Sequence, residues 1–228
     1  MCLHLIFDLD GTLVDSAPGI LASLTHAFAA TGLCPRLPLG TEVIGPPLRE
    51  TIAHLSGSTD PATIAACVDH FKAHYDDTGV LATHPYAGIP EVLAQLAGSG
   101  TRLHVATNKR IGPTRKILSQ LGWDTRFSSV YGIDTPPGFD AKARLLKALL
   151  EREGCAARHS LYIGDKRADY NAAAQHGLDF VGVRWGYASA DELAGLPTVA
   201  DAPALLAYVQ RWQRRAGISP HSERNAPL

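Results

Sequence analysis

The chain after residue 88 alternates between two kinds of hydrophobic pattern. Short apolar runs that are typical of buried strands occur over 102–106, 127–131, 161–164 and 180–183. Amphipathic helical patterns accompany them, over 89–97, 113–121, 140–152, 169–176 and 203–212. Another apolar run covers residues 3–7. This alternation predicts an α/β fold, in which a parallel sheet carries helices on both faces and the 3–7 strand lies in its middle.

The segment from residue 16 to residue 82 breaks this alternation. Helical patterns are predicted over 19–31, 47–55 and 61–78, with no convincing strand between them. Pro, Gly and Thr cluster at 37–45 and 83–88, which are predicted to be an internal loop and a return hinge. We therefore expect an α/β core of residues 1–15 and 83–213, an inserted all-helical cap of residues 16–82, and a disordered tail of residues 214–228.

Composition narrows the class of protein. Hydrophobic residues make up 46% of the 228 positions, but no apolar stretch approaches the roughly twenty residues of a membrane span. The net charge of −1 includes no basic surplus for nucleic acid. The cysteines lie far apart, without the Cys-x-x-Cys pair of a zinc site, at Cys2, Cys34, Cys67 and Cys155. We expect a cytoplasmic protein with no signal peptide, no membrane contact and no nucleic-acid partner.

Two carboxylates stand two residues apart at the end of the first apolar run. In an extended strand, residues i and i+2 point to the same side, so Asp8 and Asp10 can converge on one small volume. A plain strand-ending turn is one alternative, because Asp and Gly both favour turns. A calcium loop is another, but Gly11 then stands at loop position four instead of six. The pair is better suited to holding a cation and doing chemistry.

Further polar residues follow the other predicted strands. In an open parallel sheet, ligands bind beyond the carboxyl ends of the strands. The 102–106 strand leads into Thr107-Asn108-Lys109, and the 161–164 strand leads into Asp165, with Asp169 four residues later. Lys142 opens the helix that follows the strand near Val130. Acids, a hydroxyl and an amine are therefore predicted to meet at one edge of the sheet.

In their order and spacing, these residues resemble the haloacid dehalogenase-like hydrolases, in particular the capped phosphatases close to phosphoglycolate phosphatase. The resemblance rests on the run from Asp8 to Ser16, on Thr107-Asn108-Lys109, on Lys142, and on Gly164-Asp165 followed by Asp169. It covers nearly the whole chain, and Trp185-Gly186-Tyr187 adds a less specific match. It implies a Rossmann-like core with a cap of the C1 type.

The resemblance also implies a role for each residue. Asp8 is the nucleophile that forms an aspartyl-phosphate, since a carboxylate is already ionised at neutral pH. Asp10 is the general acid and base, and its pKa is expected to be raised relative to that of Asp8. The Thr107 hydroxyl, the Asn108 backbone N–H and the Lys142 ammonium are expected to stabilise the transferring phosphoryl group.

A divalent cation is implied as well. An anionic nucleophile and a phosphate dianion repel each other, and ligands that are all oxygen favour Mg²⁺. The expected ligands are Asp8, Asp165 and the backbone carbonyl of Asp10. Asp169 is expected to hold the metal site from outside the ligand set, or through water.

Other residues carry weaker signals. In the family a proline often follows the lysine of the third motif, whereas here Ala143 follows Lys142, so Lys147 is an alternative. Arg49, at a predicted helix start, is a candidate for binding a substrate carboxylate or second phosphate, with a plain exposed arginine as the alternative. Lys109 and Arg110 fit a solvated helix start better than a cleft entrance. His70 and His74 have the spacing of a metal pair but fit surface histidines better.

The function predicted from these residues is that of a Mg²⁺-dependent phosphatase acting on a small phosphorylated metabolite, similar to phosphoglycolate. A phosphomutase, a phosphonatase or a pyrophosphatase would use the same core. A haloacid dehalogenase is disfavoured, because Asp10 has little purpose without phosphate and metal. A non-catalytic binding protein is the alternative from another class, but it should have lost one of the acids or the lysine. The sequence makes no prediction about oligomeric state.

Overall fold

The computed structural model describes residues 2–97, 99–135 and 141–216. Its strands are β1 Leu3–Phe7, β2 Val14–Asp15, β3 His84–Pro85, β4 Thr101–Thr107, β5 Ser129–Gly132, β6 Ser160–Gly164, β7 Asp179–Val183 and β8 Thr198–Val199. Its α-helices are α1 Ala17–Thr31, α2 Leu48–Ser56, α3 Pro61–Asp77, α4 Ile89–Ala97, α5 Ile111–Gln120, α6 Lys142–Glu153, α7 Arg167–Gln175 and α8 Ala202–Arg215. Short 3-10 helices cover Thr41–Val43, Gly79–Ala82 and Ala157–His159.

The main sheet has six strands in the order β5-β4-β1-β6-β7-β8, and every neighbouring pair is parallel. Side chains of β1 alternate between two cores. Leu5 and Phe7 belong to the core that includes α4, α5 and α8, whereas Ile6 belongs to the core that includes α6 and α7. The predicted α/β fold is therefore confirmed, with helices on both faces and the first strand inside the sheet.

Residues 16–82 contain helices α1, α2 and α3 and two of the 3-10 helices, but no strand. We call them the helical segment. The α3 helix begins where Asp60 accepts a hydrogen bond from the Thr63 N–H (2.9 Å) and Pro61 occupies the first turn, as helix starts require. A two-residue antiparallel pair, β2 with β3, flanks the segment at its two chain crossings. This pair was not predicted, because two residues carry no periodic pattern.

The last helix is longer than predicted. The pattern predicts an end at Trp212, but α8 continues through Arg215. The prediction that Arg214 and Arg215 begin a disordered tail is therefore wrong, because both residues are helical. Gln213 is buried and donates to Thr101 Oγ1 (2.7 Å), a tertiary contact that extends the helix. Residues 217–228 of the predicted tail lie outside the described residues, as does Asp140, the first residue of the helix predicted over 140–152. Among the described residues, no helix is long and apolar enough to cross a membrane.

A buried polar cluster lies in the core on the α6 side of the sheet. His4 Nδ1 is 3.0 Å from His104 Nε2 and 3.0 Å from Cys155 Sγ, and His104 Nδ1 is 2.7 Å from Ser129 Oγ. Burial lowers the pKa of His104 to about 4, so its ring is neutral near pH 7. Hydrogen bonding satisfies these buried ring nitrogens.

Candidate active site

Three adjacent strands of the sheet bring the predicted chemistry together. β4, β1 and β6 are neighbours, and their carboxyl ends lie at the same edge. Asp8 directly follows β1, Thr107 ends β4, and Asp165 directly follows β6. All three side chains line one cavity of about 270 Å³, which lies between this edge and the helical segment. The sheet topology therefore produces the convergence that the strand-end positions predict.

Asp8 is buried and held from two sides. Its Oδ1 accepts a hydrogen bond from the Leu9 N–H (2.8 Å), and its Oδ2 accepts one from Lys142 Nζ (2.5 Å). Lys142 is the first residue of α6, is itself buried, and also forms an ion pair with Asp169. Lys147, the alternative lysine, is 65% exposed and pairs with Glu151 on the surface of α6. The structure thus brings Lys142, and not Lys147, to the predicted site.

Three carboxylates form a compact cluster at this edge. Oxygen atoms of Asp8, Asp165 and Asp169 all lie within 4.8 Å of one another. Burial, followed by the charges of Asp169 and Asp8, raises the pKa of Asp165 to about 8. Burial likewise raises the pKa of Asp8 to about 6, although the Lys142 ammonium opposes this shift. Without a cation, burial and mutual repulsion disfavour the ionised forms of these carboxyl groups. A hard divalent cation would stabilise the ionised forms, so these residues fit Mg²⁺.

Asp165 is packed against two glycines and one backbone amide. Its Oδ2 accepts from the Tyr187 N–H (2.8 Å). Gly11 has a φ of 78°, and a Cβ built on it would lie 2.3 Å from Asp165 Oδ2. A Cβ on Gly186 would lie 2.3 Å from both the Asp165 Cβ and the Gly11 carbonyl oxygen. Glycine is therefore required at both positions if the carboxylate is to occupy this place.

Asp169 has two structural contacts. Asp165 lies in the loop before α7, whereas Asp169 lies in the first turn of that helix. Its Oδ2 accepts from the Lys166 N–H (2.9 Å), which caps the helix, and its Oδ1 contacts Lys142. The side chain thus fixes the lysine that also holds Asp8.

The environment of Asp10 includes a residue that the sequence analysis assigned wrongly. Lys109 was expected at a solvated helix start, but its side chain is only 7% exposed. Lys109 Nζ lies 3.0 Å and 2.9 Å from the two carboxylate oxygens of Asp10, and 4.6 Å from the centre of the Tyr75 ring. Burial opposes charge on Lys109, but Asp10 and Tyr75 more than offset it and raise the pKa of this ammonium. The Ser16 hydroxyl completes the contacts of Asp10 at 2.6 Å.

Thr107 and Asn108 follow β4 as predicted, with different contacts. Thr107 is buried, and its Oγ1 accepts from the Lys109 N–H (3.2 Å). The Asn108 side chain points to the helical segment, where its Nδ2 donates to the Gly45 carbonyl (2.9 Å). Asn108 Oδ1 is buried and has no hydrogen-bond partner among the described residues. The Asn108 side chain therefore links the sheet edge to the helical segment.

Two arginines border the same region. Arg110 Nη2 lies 2.6 Å from Asp76 Oδ1, an ion pair between the loop after β4 and α3. Arg49 lines the cavity, as expected of a substrate-binding residue, but it is exposed, as in the alternative interpretation.

His74, one of the two histidines with metal-pair spacing, is 2.9 Å from Ser23 Oγ and stacks on His26.

Tyr187 makes contacts at the site that the sequence did not predict. Its hydroxyl accepts from the Ser16 N–H (2.8 Å) and the Ala17 N–H (3.0 Å), and donates to Asp15 Oδ1 (2.9 Å). These partners lie where the chain enters the helical segment, while the Tyr187 backbone N–H binds Asp165. The signal was present in Trp185-Gly186-Tyr187, but it pointed to no chemistry.

Comparisons with known proteins agree with this geometry. A family model described as haloacid dehalogenase-like hydrolase matches residues 5–183. The chain is 37% identical over 206 residues to a 5'-nucleotidase of Pseudomonas aeruginosa, covering 89% of this chain and 93% of that protein. It is 32% identical over 188 residues to a phosphoglycolate phosphatase of Xanthomonas campestris pv. campestris, covering 82% and 85%. A solved structure described as a predicted phosphatase from Clostridium acetobutylicum matches with a TM-score of 0.85 at 25% identity, covering 92% and 99%.

The matched span of the family model contains every residue of the acidic cluster and both buried lysines. Sequence, fold and the arrangement at the sheet edge therefore agree, and the resemblance noted in the sequence is confirmed. The chain belongs to the haloacid dehalogenase-like hydrolases.

Proposed function

We propose that the protein is a Mg²⁺-dependent phosphatase that hydrolyses a small phosphomonoester through an aspartyl-phosphate on Asp8. The observation that carries this proposal is the position of Asp8, which lines the cavity with Asp10 while its own Oδ2 contacts a buried ammonium. The relatives named 5'-nucleotidase and phosphoglycolate phosphatase support a phosphomonoester as substrate.

The first step forms a bond from a carboxylate oxygen of Asp8 to phosphorus and breaks the ester P–O bond. Lys142 keeps Asp8 in place, and its positive charge offsets part of the repulsion between nucleophile and phosphate. Asp10 gives its proton to the leaving alkoxide. In the second step, water loses a proton to Asp10 and attacks the aspartyl-phosphate, which releases inorganic phosphate and restores Asp8.

The remaining groups bind and orient. The Thr107 hydroxyl, the Asn108 N–H and the Lys142 ammonium are proposed to stabilise the phosphoryl oxygens, since phosphoryl transfer depends on positioning and electrostatics. Lys109 and Ser16 fix the carboxylate of Asp10 beside the leaving group. Because Lys109 also contacts Tyr75 of α3, the position of Asp10 depends on the helical segment.

The acidic cluster is proposed to hold Mg²⁺ through Asp8, Asp165 and the backbone carbonyl of Asp10. Asp169 supports the site from outside or through water, since it already contacts Lys142 and the Lys166 N–H. The bound cation would neutralise charge on the nucleophile and on the phosphate.

The helical segment, residues 16–82, is proposed to be a cap that covers the substrate and excludes water. Its contacts with the sheet edge, Asn108 to Gly45 and Arg110 to Asp76, support this role. Under the same proposal, the α/β core comprises residues 1–15 and 83–215, because α8 continues two residues past the predicted boundary at 213.

The test is phosphate release from p-nitrophenyl phosphate with and without Mg²⁺, for the native protein and for Asp8→Asn. We expect activity that requires Mg²⁺ and falls by at least about 10³-fold in Asp8→Asn, which cannot form the phosphoenzyme. Lys147→Met, a surface change on the same helix as Lys142, is the control. Unchanged activity in Asp8→Asn would reject the covalent mechanism, and a native protein with no activity would favour the non-catalytic alternative.

Phosphomutase, phosphonatase and pyrophosphatase activities use the same core and are separated by substrate. A mutase returns the phosphoryl group to a sugar phosphate and releases little inorganic phosphate. A phosphonatase would consume a phosphonate faster than a phosphomonoester, and a pyrophosphatase would consume pyrophosphate faster. Either result would contradict the proposal.

A further inference from the structure

The core on the α6 side of the sheet contains a second group of metal-ligating atoms, separate from the acidic cluster. His4 lies in β1, His104 lies in β4, and Cys155 directly follows the glycine that ends α6. One ring nitrogen of each histidine and the Cys155 sulfur all lie within 4.8 Å of one another. We call these three residues the histidine-cysteine cluster. The proposed phosphatase reaction uses none of them.

The fold places the three side chains together without a metal ion. In the register of β1 with β4, His104 is opposite Ile6, two residues after His4, so both histidines lie on one face of the sheet. The backbone N–H of Cys155 donates to the Leu150 carbonyl (2.9 Å), which fixes the cysteine at the end of α6. Two strands and one helix end therefore supply a preformed set of donor atoms.

The contacts of His4 Nδ1 exceed what one imidazole nitrogen can satisfy. Nδ1 is 3.0 Å from His104 Nε2 and also 3.0 Å from Cys155 Sγ. A ring nitrogen carries either one proton or one lone pair, so it forms a full hydrogen bond with only one of these atoms at a time. A metal ion between the three atoms would remove this conflict, because each atom would then direct a lone pair to the ion.

The other nitrogen of His104 is already oriented for this arrangement. His104 Nδ1 is 2.7 Å from Ser129 Oγ, which can accept the Nδ1 proton. Nε2 then carries the lone pair that faces the cluster. Histidines that bind metal ions usually have their second nitrogen held by a hydrogen bond of this kind. Ser129 is therefore a positioning residue for the ligand nitrogen of His104.

Two imidazoles and one thiol indicate the class of ion. Nitrogen and sulfur donors favour Zn²⁺, whereas the oxygen atoms of the acidic cluster fit Mg²⁺. In a tetrahedral Zn²⁺ site, bond lengths of about 2.0–2.3 Å place neighbouring donor atoms roughly 3.3–3.6 Å apart, so the two 3.0 Å contacts would open by about half an ångström. Glu153 and Arg102 act electrostatically on the cluster with opposite signs. The negative charge must therefore come from the Cys155 thiolate, whose proton is released to solvent on binding.

We infer that His4, His104 and Cys155 form a Zn²⁺ site that is separate from the site of the proposed reaction. His4 lies near the amino end of β1, whereas Asp8 follows its carboxyl end, so the ion would cross-link the core and take no part in the chemistry. Access is from the side of Cys155, which is 8% exposed, while His104 is fully buried. The inference does not depend on the proposed phosphatase function. The sequence gave no sign of the site, because His104 and Cys155 lie 100 and 151 positions from His4.

The test uses Co²⁺ as a spectroscopic substitute for Zn²⁺, added to the reduced full-length protein in excess Mg²⁺. Co²⁺ bound to a thiolate gives a charge-transfer band in the near ultraviolet, which carboxylate ligands do not give. The band therefore separates the histidine-cysteine cluster from the acidic cluster. We expect the band to saturate at one Co²⁺ per chain and to disappear when one equivalent of Zn²⁺ is added. A native protein that shows no thiolate band overturns the inference.

Variants locate the band in the chain. Cys155→Ser removes the thiolate, so the band should disappear and the affinity for Zn²⁺ should fall at least about 100-fold. Ser129→Ala should retain the band but weaken Zn²⁺ binding by about tenfold or more, because His104 loses its positioning contact. The controls are Cys34→Ser, at an exposed thiol, and Cys67→Ser, at a buried thiol outside the cluster; both should leave the band unchanged. A band that survives Cys155→Ser, or is lost in Cys34→Ser, overturns the inference.

Stability and activity complete the test. Zn²⁺ should raise the melting temperature of the native protein in Mg²⁺ but not that of Cys155→Ser, and equal increases overturn the inference. Cys155→Ser should release phosphate from p-nitrophenyl phosphate within about twofold of the native rate, because the substitution lies outside the acidic cluster. Ser129 is only half-buried, so the Zn²⁺ affinity of Ser129→Ala decides the question if Cys155→Ser does not fold. A native protein without phosphatase activity that still gives the band rejects the proposed function and supports this inference.

Discussion

The two sides of the cavity differ in how each side chain is held. At the sheet edge, every charged group has specific partners: Lys142 contacts Asp8 and Asp169, and Lys109 contacts both oxygens of Asp10. The opposite wall of the cavity belongs to the helical segment, and there Val68 and Phe71 are placed by packing, which has no direction and tolerates changes of shape. The comparison teaches that the groups of one side depend on specific partners, whereas the groups of the other side can change shape without leaving a partner unpaired.

The difference is also energetic. Buried charged side chains stabilise one another, so removing one of them leaves its partners with unpaired charges in the low-dielectric interior of the protein. Apolar wall residues have no specific partners, so neighbouring side chains can absorb a small change of shape in one of them. We therefore expect single substitutions at the sheet edge to have much larger effects than single substitutions on the wall.

The largest effect is expected for Lys142→Met. The variant keeps the length of the side chain but removes the ammonium that offsets Asp8 and Asp169, so kcat should fall by about 10³-fold. The metal-free variant should also lose about 3 kcal/mol of stability, because two buried carboxylates lose their partner. Phosphate-release kinetics and urea unfolding measure the two effects.

Lys147→Met is the matched control for this substitution, since Lys147 lies on the same helix but is 65% exposed. It should change kcat by less than about twofold and stability by less than about 0.5 kcal/mol. If Lys142→Met kept activity within tenfold of the native protein, the sheet edge would be as tolerant as the wall.

The second effect concerns Lys109, which links the two sides because it contacts Asp10 and also the Tyr75 ring. Lys109→Met should reduce kcat by about 10²-fold on an alkyl phosphate, since Asp10 loses its positioning contact and the leaving alkoxide needs its proton. On p-nitrophenyl phosphate the loss should be smaller, because nitrophenolate leaves without protonation.

Lys116→Met controls for the contact with the helical segment. Lys116 Nζ donates to the Asp76 carbonyl of α3 but has no contact with Asp10, so its loss should cost less than about threefold. Equal losses on the two leaving groups in Lys109→Met would show that Lys109 acts on the segment and not on Asp10.

The third prediction concerns the acidic cluster of Asp8, Asp165 and Asp169, and it is measured as a change in the stability of the folded protein. The pKa of Asp165 is about 8 in the folded, metal-free protein, against about 3.9 in an unfolded chain. Between these values the folded state binds more protons, so the metal-free protein should lose stability as the pH rises from 4 to 8. Mg²⁺ competes with these protons for the carboxylates. Adding Mg²⁺ should therefore raise the melting temperature more at pH 8 than at pH 5.

Thermal unfolding at both pH values, with and without Mg²⁺, checks this. Asp165→Asn should remove most of the pH dependence and weaken the response to Mg²⁺. A response to Mg²⁺ that is the same at both pH values, or unaffected by Asp165→Asn, would place the cation elsewhere.

The same contrast explains what the sequence could predict. β1 has the predicted bounds, and Asp8, Thr107 and Asp165 meet because parallel strands bring their carboxyl ends to one edge. Lys109 was misjudged because nothing local distinguishes a buried lysine at a helix start from a solvated one. Its partner Tyr75 belongs to α3 of the helical segment, so the contact is purely tertiary.

The wall was equally inaccessible to sequence reasoning. Val68 and Phe71 lie three residues apart on α3, a spacing typical of any helix that faces a hydrophobic core. Whether such a face packs on protein or on a ligand depends on where the helix docks. For the same reason, the sequence pattern did not predict that α8 extends past Trp212, where Gln213 donates a hydrogen bond to Thr101 of β4.

The smallest effect is expected at the junction of the two sides, for Tyr187→Phe. The ring and the backbone N–H that binds Asp165 remain, but the Ser16 and Ala17 N–H groups lose their acceptor, which should cost about 2 kcal/mol and lower the melting temperature by about 4–8 °C. Tyr170→Phe, at a ring that packs on Phe180, is the control and should shift the melting temperature by less than about 2 °C. Activity should fall only a few-fold, because Asp8, Asp10 and Lys142 keep their contacts. A loss of activity as large as that of Lys109→Met would instead mean that the entry of the chain into the helical segment controls the sheet edge, and that the two sides do not act separately.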